Sequence, residues 1–109
     1  MAIKQNIIID QGTDFIYNIY LIDGNSNVVN ISTYTANSEV RKSFTSNTYT
    51  AFTTSIDGNN GIITLTMNAA TTATLTYPRY LYDVELTSNN NIISRIVEGY
   101  VNVNPSVTH

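Results

Sequence analysis

Few residues in this chain are of a type and spacing that could do chemistry. Asp83 and Glu85 stand two apart in a run of alternating polarity, which places both carboxylates on one face of an extended strand, about 7 Å apart. Paired carboxyls act as general acid and base at a glycosidic bond when they flank a cleft and burial raises one pKa. Two acids on one strand beside Arg79 read instead as a solvated face. Asp23-Gly24-Asn25-Ser26-Asn27 opens like a calcium loop, where alternate side-chain oxygens hold a hard cation. Its sixth position is Val28 where such a loop needs glycine, and its twelfth is Tyr34 where it needs glutamate, so the segment reads as a structural turn. Asp57-Gly58-Asn59-Asn60-Gly61 starts well but reaches Asn68 at its twelfth position, and reads as a hairpin loop. Serine and threonine are abundant, yet the single histidine is His109, the last residue of the sequence, and no base stands ready to activate a hydroxyl. Cysteine is absent, which removes disulfides, thiolate zinc sites, iron–sulfur clusters and thiol nucleophiles together. No catalytic, cofactor-binding or metal-ligating residue is expected, and the chain reads as a non-enzyme.

Charge and aromatic content bear on partners. The formal net charge is −3, and the five basic residues, Lys4, Arg41, Lys42, Arg79 and Arg95, are scattered. A nucleic-acid footprint needs clustered cations to displace counterions from phosphates, so no nucleic-acid partner is expected. The longest apolar run near the N-terminus is Ile7-Ile8-Ile9, far short of an export signal, and nothing approaches the roughly 20 apolar residues of a membrane span. Neither a membrane nor an export route is expected. The eight tyrosines, Tyr17, Tyr20, Tyr34, Tyr49, Tyr77, Tyr80, Tyr82 and Tyr100, could stack on sugars or anchor a protein interface where exposed. Most of them read as core or sheet surface. Asn30-Ile31-Ser32 matches a glycosylation sequon, which without an export signal reads as coincidence.

The elements that must position these residues are strands. At 109 residues and 42% hydrophobic, the chain has the size and apolar content of one domain, 1–109, with short ends. Sixteen Thr, 14 Ile and eight Tyr favour pleated, half-buried surfaces, and 15 Asn favour the turns between them. Turn signals at 10–12, 23–27, 46–47, 57–61 and 88–91 separate strands predicted at 3–9, 13–22, 35–44, 48–57, 62–67, 79–87 and 92–103, with a short extended piece near 28–31. Alternation puts Ile63, Leu65 and Met67 on one face, Tyr80, Tyr82, Val84 and Leu86 on another, and Ile93, Val97, Val101 and Val103 on a third, where Arg95 and Gly99 interrupt it. A glycine there marks a bulge or a close neighbour. Tyr80 or Tyr82 fits the tyrosine corner of an immunoglobulin-like sandwich, in which the hydroxyl bonds upstream backbone. Asn68 can cap a helical turn over the alanines that follow, ending before Pro78, and such a turn would carry the chain between two sheets about 10 Å apart. The expected fold is an all-β, Ig-like antiparallel sandwich of about seven strands with one short helical crossover. Leu65, Val84, Leu86 and Val101 are expected in its core.

Several segments taken in order carry a family resemblance. They are Ile9-Asp10-Gln11-Gly12-Thr13-Asp14-Phe15, the Asp23-Gly24 turn, Ile31-Ser32-Thr33-Tyr34-Thr35-Ala36 running toward Val40-Arg41-Lys42-Ser43, and Asn60-Gly61-Ile62-Ile63-Thr64-Leu65. After Ala69-Ala70-Thr71-Thr72-Ala73-Thr74-Leu75 come Arg79-Tyr80-Leu81-Tyr82-Asp83-Val84-Glu85-Leu86 and Arg95-Ile96-Val97-Glu98-Gly99-Tyr100-Val101-Asn102-Val103. Their order resembles small Ig-like virion proteins of tailed phages, and is similar to the N-terminal β-sandwich of the phage baseplate upper protein. The Tyr-x-Tyr-Asp-Val-Glu and Val-Glu-Gly-x-Val-x-Val strands are the most telling. The chain departs from the family at Thr33 and Arg79, where glycine is usual or frequent.

The resemblance implies a structural module of a phage particle, associated with tail or baseplate and assembled in the host cytoplasm into the virion. Its partners would be other virion proteins and copies of itself in a symmetric assembly. The alternatives are a capsid decoration protein and a carbohydrate-binding sandwich that contacts the host surface, although host glycan is not the expected partner. The candidate interface is the N-terminal run, with Ile3, Ile7, Ile8 and Ile9, joined by Pro105 and Val107 near the C-terminus. Three consecutive isoleucines put apolar groups on both faces of a strand. One face meeting the domain's core and the other a neighbour would explain that run, as would a strand wholly buried within the domain.

Overall fold

Segments 62–67 and 79–87, which alternate most cleanly, are strands with the expected bounds, and the other elements assemble around them. The computed structural model describes residues 3–22, 25, 27–43 and 45–106. In chain order these form β1 (Ile3–Lys4), β2 (Ile7–Asp10), β3 (Phe15–Tyr20), β4 (Thr35–Arg41), β5 (Thr50–Ala51), β6 (Thr53–Asp57), β7 (Ile62–Met67), α1 (Ala69–Thr72), β8 (Arg79–Thr87) and β9 (Ile93–Asn104). The larger sheet runs β9, β8, β4, β5, with β1 and β2 both on the outer side of β9; the smaller sheet runs β3, β7, β6. This is the strand order of an immunoglobulin-type sandwich: β3, β7 and β6 take the places of B, E and D, and β4, β8 and β9 those of C, F and G.

Three departures from the sequence reading have local causes. The sheets are not antiparallel throughout, because β1 and β2 pair parallel to β9, Ile3 opposite Val97 and Ile7 opposite Val101. First and last strands are joined through the whole domain rather than by a hairpin, so no tight turn imposes antiparallel pairing. Among the described residues nine strands replace about seven because two predicted runs are each divided. The run 3–9 breaks at Gln5 and Asn6, where the Asn6 side chain accepts from the Tyr100 N–H at 3.0 Å in place of a ladder bond. The run 48–57 breaks at Phe52, since β5 pairs with β4 in the large sheet while β6 pairs with β7 in the small one. Phe52 is buried at this corner against Phe15 and Tyr82, ring centroids 5.7 and 6.5 Å away.

The third departure is a bulge. Val84 pairs with Val97 but Glu85 pairs with Arg95, leaving Ile96 extra. One inserted residue reverses which side chains face out. Ile93 is therefore 63% exposed instead of inward, and Arg95 reaches the outer face beside Asp83. Gly99 keeps its inward parity opposite Tyr82, and a Cβ there would lie 2.3 Å from the Gln5 carbonyl oxygen, so the close neighbour is the N-terminal strand itself.

Both sheets supply one core. Leu65 and Ile63 from the small sheet meet Ile9, Val84 and Val101 from the large one, all fully buried, and full burial of each such side chain contributes about 1.5–3 kcal/mol. Asn68 caps α1, its side chain accepting from the Thr71 N–H at 2.8 Å, and this single helical turn carries the chain from the small sheet toward β8. Buried Thr72 donates to the Thr13 carbonyl at 2.8 Å and accepts from the Gly12 N–H at 3.0 Å, fixing the turn against the entry to β3. The segment 57–61 is the expected hairpin loop, a 3-10 turn closed by Gly61 at φ 63°, where a β-carbon would be strained.

Candidate functional site

The outer face of the large sheet gathers the charges. Registers align Lys4 with Glu98, Glu98 with Asp83, and Asp83 with Glu39 across neighbouring strands. Lys4 bridges Glu98 at 3.1 Å, Arg95 reaches Asp83 at 3.1 Å and Glu98 at 3.6 Å, and Arg41 bonds Glu39 at 2.7 Å. The hydrogen bond from Lys4, followed by its charge and that of Arg95, holds the Glu98 carboxyl below its ordinary range. Asp83 is thus one acid of a solvated, cation-laced band, as the sequence reading has it, and Glu85 borders the same open groove. Among the described residues no cluster of three metal-ligating side chains occurs. Asp23 and Gly24 of the candidate calcium loop lie outside the described residues, as does His109.

The tyrosines divide by burial. Tyr80 and Tyr82 are buried, and Tyr80 makes the local bond expected of a tyrosine corner, its hydroxyl accepting from the Tyr77 N–H at 3.0 Å. The Tyr82 hydroxyl instead donates to the distant Gln5 carbonyl. Three exposed rings lie under cations: Tyr49 under Arg41 at 4.8 Å, Tyr77 under Lys42 at 4.0 Å and Tyr100 under Arg79 at 5.0 Å. An aromatic face covered by a cation is not free to stack on a sugar ring. In the sequon, the Asn30 side-chain oxygen accepts from the Ser32 N–H and hydroxyl, at 2.9 and 2.8 Å.

The N-terminal edge divides its own side chains. Ile7 and Ile9 are buried in the core at 5% and 0% exposure, whereas Ile8 between them is 61% exposed, and Ile3 is 64% exposed. A strand wholly buried within the domain is therefore not what the three isoleucines form. Only Ile3 and Ile8 of the four N-terminal candidates are offered to a neighbour. Pro105 is exposed just past β9, but the chain on either side is tied down: the Gln11 N–H donates to the Asn104 carbonyl at 2.8 Å and the Ser106 N–H to the Gln11 side chain at 3.1 Å. Val107 lies outside the described residues. Ile8 faces out beside Asn102, which in turn pairs with Arg79, so β2 is flanked by polar groups with the one apolar side chain of Ile8 standing proud. The sequence reading did not single out the outer face of the small sheet, although the alternation of Ile16, Asn18 and Tyr20 marks it.

Compared with protein-family models and with curated proteins, the chain matches none.

Proposed function

We propose that this chain is a non-enzymatic structural module of a tailed-phage particle, tail- or baseplate-associated, that works by docking to other virion proteins along its N-terminal edge. The observation that carries the reading is the division of the β2 isoleucines. Ile7 and Ile9 anchor the strand in the core, so Ile8 is turned outward on a sheet edge whose far side has no partner strand among the described residues. An exposed edge offers backbone N–H and C=O groups to an incoming strand, and an outward apolar side chain gives that strand something to cover. The order of motifs along the chain supports the virion assignment. Of the four exposed tyrosines among the described residues, Tyr49, Tyr77 and Tyr100 lie under cations and Tyr20 is open, a balance that favours protein contact over glycan stacking.

Deleting residues 2–9 would remove Ile7 and Ile9 from the core, so the informative change is smaller. Ile8→Asp alters only an exposed side chain. Particles assembled with this variant are expected to lack the chain while its melting temperature stays within a few degrees of the parent; normal incorporation would exclude the N-terminal docking edge.

A further inference from the structure

We infer that the edge of β3 left unpaired among the described residues is a homotypic contact, at which two copies of this chain pair antiparallel about a two-fold axis through Asn18 and join their small sheets into one. The orientation of the backbone comes first. The Leu21 N–H donates to the Gly61 carbonyl at 2.8 Å, continuing the register in which Ile19 faces Ile63 and Tyr17 faces Leu65. Odd-numbered residues of this strand therefore turn their peptide groups toward β7, and Ile16, Asn18 and Tyr20 turn theirs to the open side. Those three residues also carry their side chains outward, Ile16 at 68% and Tyr20 at 63% exposure.

A second copy fits this edge better than any charged partner. With the dyad at Asn18, Ile16 of each copy lies directly across from Tyr20 of the other, an aromatic against β-branched pairing of the kind that stabilises neighbouring strands. All three opposed pairs fall on residues whose N–H and C=O both point at the partner, so each pair can exchange two backbone hydrogen bonds. Electrostatics agree, because two molecules of net charge −3 repel least where their like charges are distant. The outer face of the small sheet carries one charged side chain among the described residues, Asp57, on the far strand β6. The other sheet edges suit a second copy less: the β1–β2 edge, proposed above for a different partner, carries Lys4 and Asp10, β5 is two residues long and β6 ends in Asp57. Among the described residues β3 alone is a six-residue edge, Phe15–Tyr20, with neither charge nor proline. The pairing rests on this geometry and stands whether or not the chain belongs to a virion.

Sedimentation of the purified chain over about two decades of concentration tests it, since mass action must shift a monomer–dimer equilibrium. The chain is expected to rise from monomer to dimer. Ile16→Lys combined with Tyr20→Lys sets like charges across the dyad and should leave a monomer. Ile16→Lys combined with Tyr20→Glu sets opposite charges across it and should restore a dimer that weakens with added salt. Both double variants change exposed side chains, and their melting temperatures verify the fold. In the unaltered chain, the amides of Ile16, Asn18 and Tyr20 should gain about tenfold protection from hydrogen exchange over the same range, while those of Tyr17 and Ile19 stay constant. A chain that remains monomeric, association indifferent to the two charge patterns, or even-numbered amides that ignore concentration would each overturn the pairing.

Discussion

Tyr82 ties three parts of the molecule together with one side chain. Its ring meets Phe52 edge-on where the chain changes sheets, and its hydroxyl holds the Gln5 carbonyl where the N-terminal strand breaks. Burial, and secondarily the neighbouring Tyr17, push its pKa above the ordinary tyrosine value. A group whose pKa is raised on folding stabilises the fold fully below its unfolded value, near 10, and loses that contribution as pH rises toward the folded value, because only the unfolded chain releases the proton. Tyr82→Phe is therefore expected to cost about 1 kcal/mol at neutral pH through the lost hydrogen bond, with the gap to the parent narrowing above about pH 10. Urea midpoints of both proteins at neutral pH and at about pH 11 measure this, and a gap constant with pH would refute it. At this scale the sequence was readable for Asp83, whose neighbours predict a solvated face. The partnership of Asp83 with Arg95 was not, because it depends on a bulge that no propensity marks.

Elements with clear alternation were legible to the residue, as β7 and β8 demonstrate, although Leu81 breaks the pattern in the second. Interrupted ones were not. An extended run looks the same in sequence whether its backbone stays in one sheet or crosses to another at Phe52, since both halves keep strand dihedrals. Gly99 did signal the close approach that interrupts the N-terminal run, although not which segment approaches. A methyl group at that position meets the Gln5 backbone, which cannot swing aside as a flexible side chain could. Gly99→Ala should accordingly destabilise the domain by about 1–3 kcal/mol, an overpacking cost. Hydrogen exchange should place the damage at the Gln5 amide, which donates to the Glu98 carbonyl at 2.9 Å. Unchanged stability, or loosening confined to the small sheet, would contradict that assignment.

At the scale of the whole molecule, Leu65, Val84, Leu86 and Val101 are all buried, as their alternation predicts, and they come from both sheets. Leu65→Ala should lower stability by about 2–5 kcal/mol through lost transfer energy and the cavity left behind. A urea midpoint equal to the parent's would show that the two sheets do not share this core. Surfaces were less legible than the core, because burial leaves a periodic trace in sequence whereas an exposed edge is set by which strand has no neighbour. The sides of β2 and β3 that are free among the described residues emerge only from the topology. They give the sandwich one edge with an exposed isoleucine and another that carries no charged side chain. The most direct measurement is the density of this chain in a purified intact phage particle. The chain should stand in the tail or baseplate in several symmetric copies, with Ile8 covered by a neighbouring subunit. Particles without the chain, or copies in which Ile8 faces solvent throughout, would contradict the docking role.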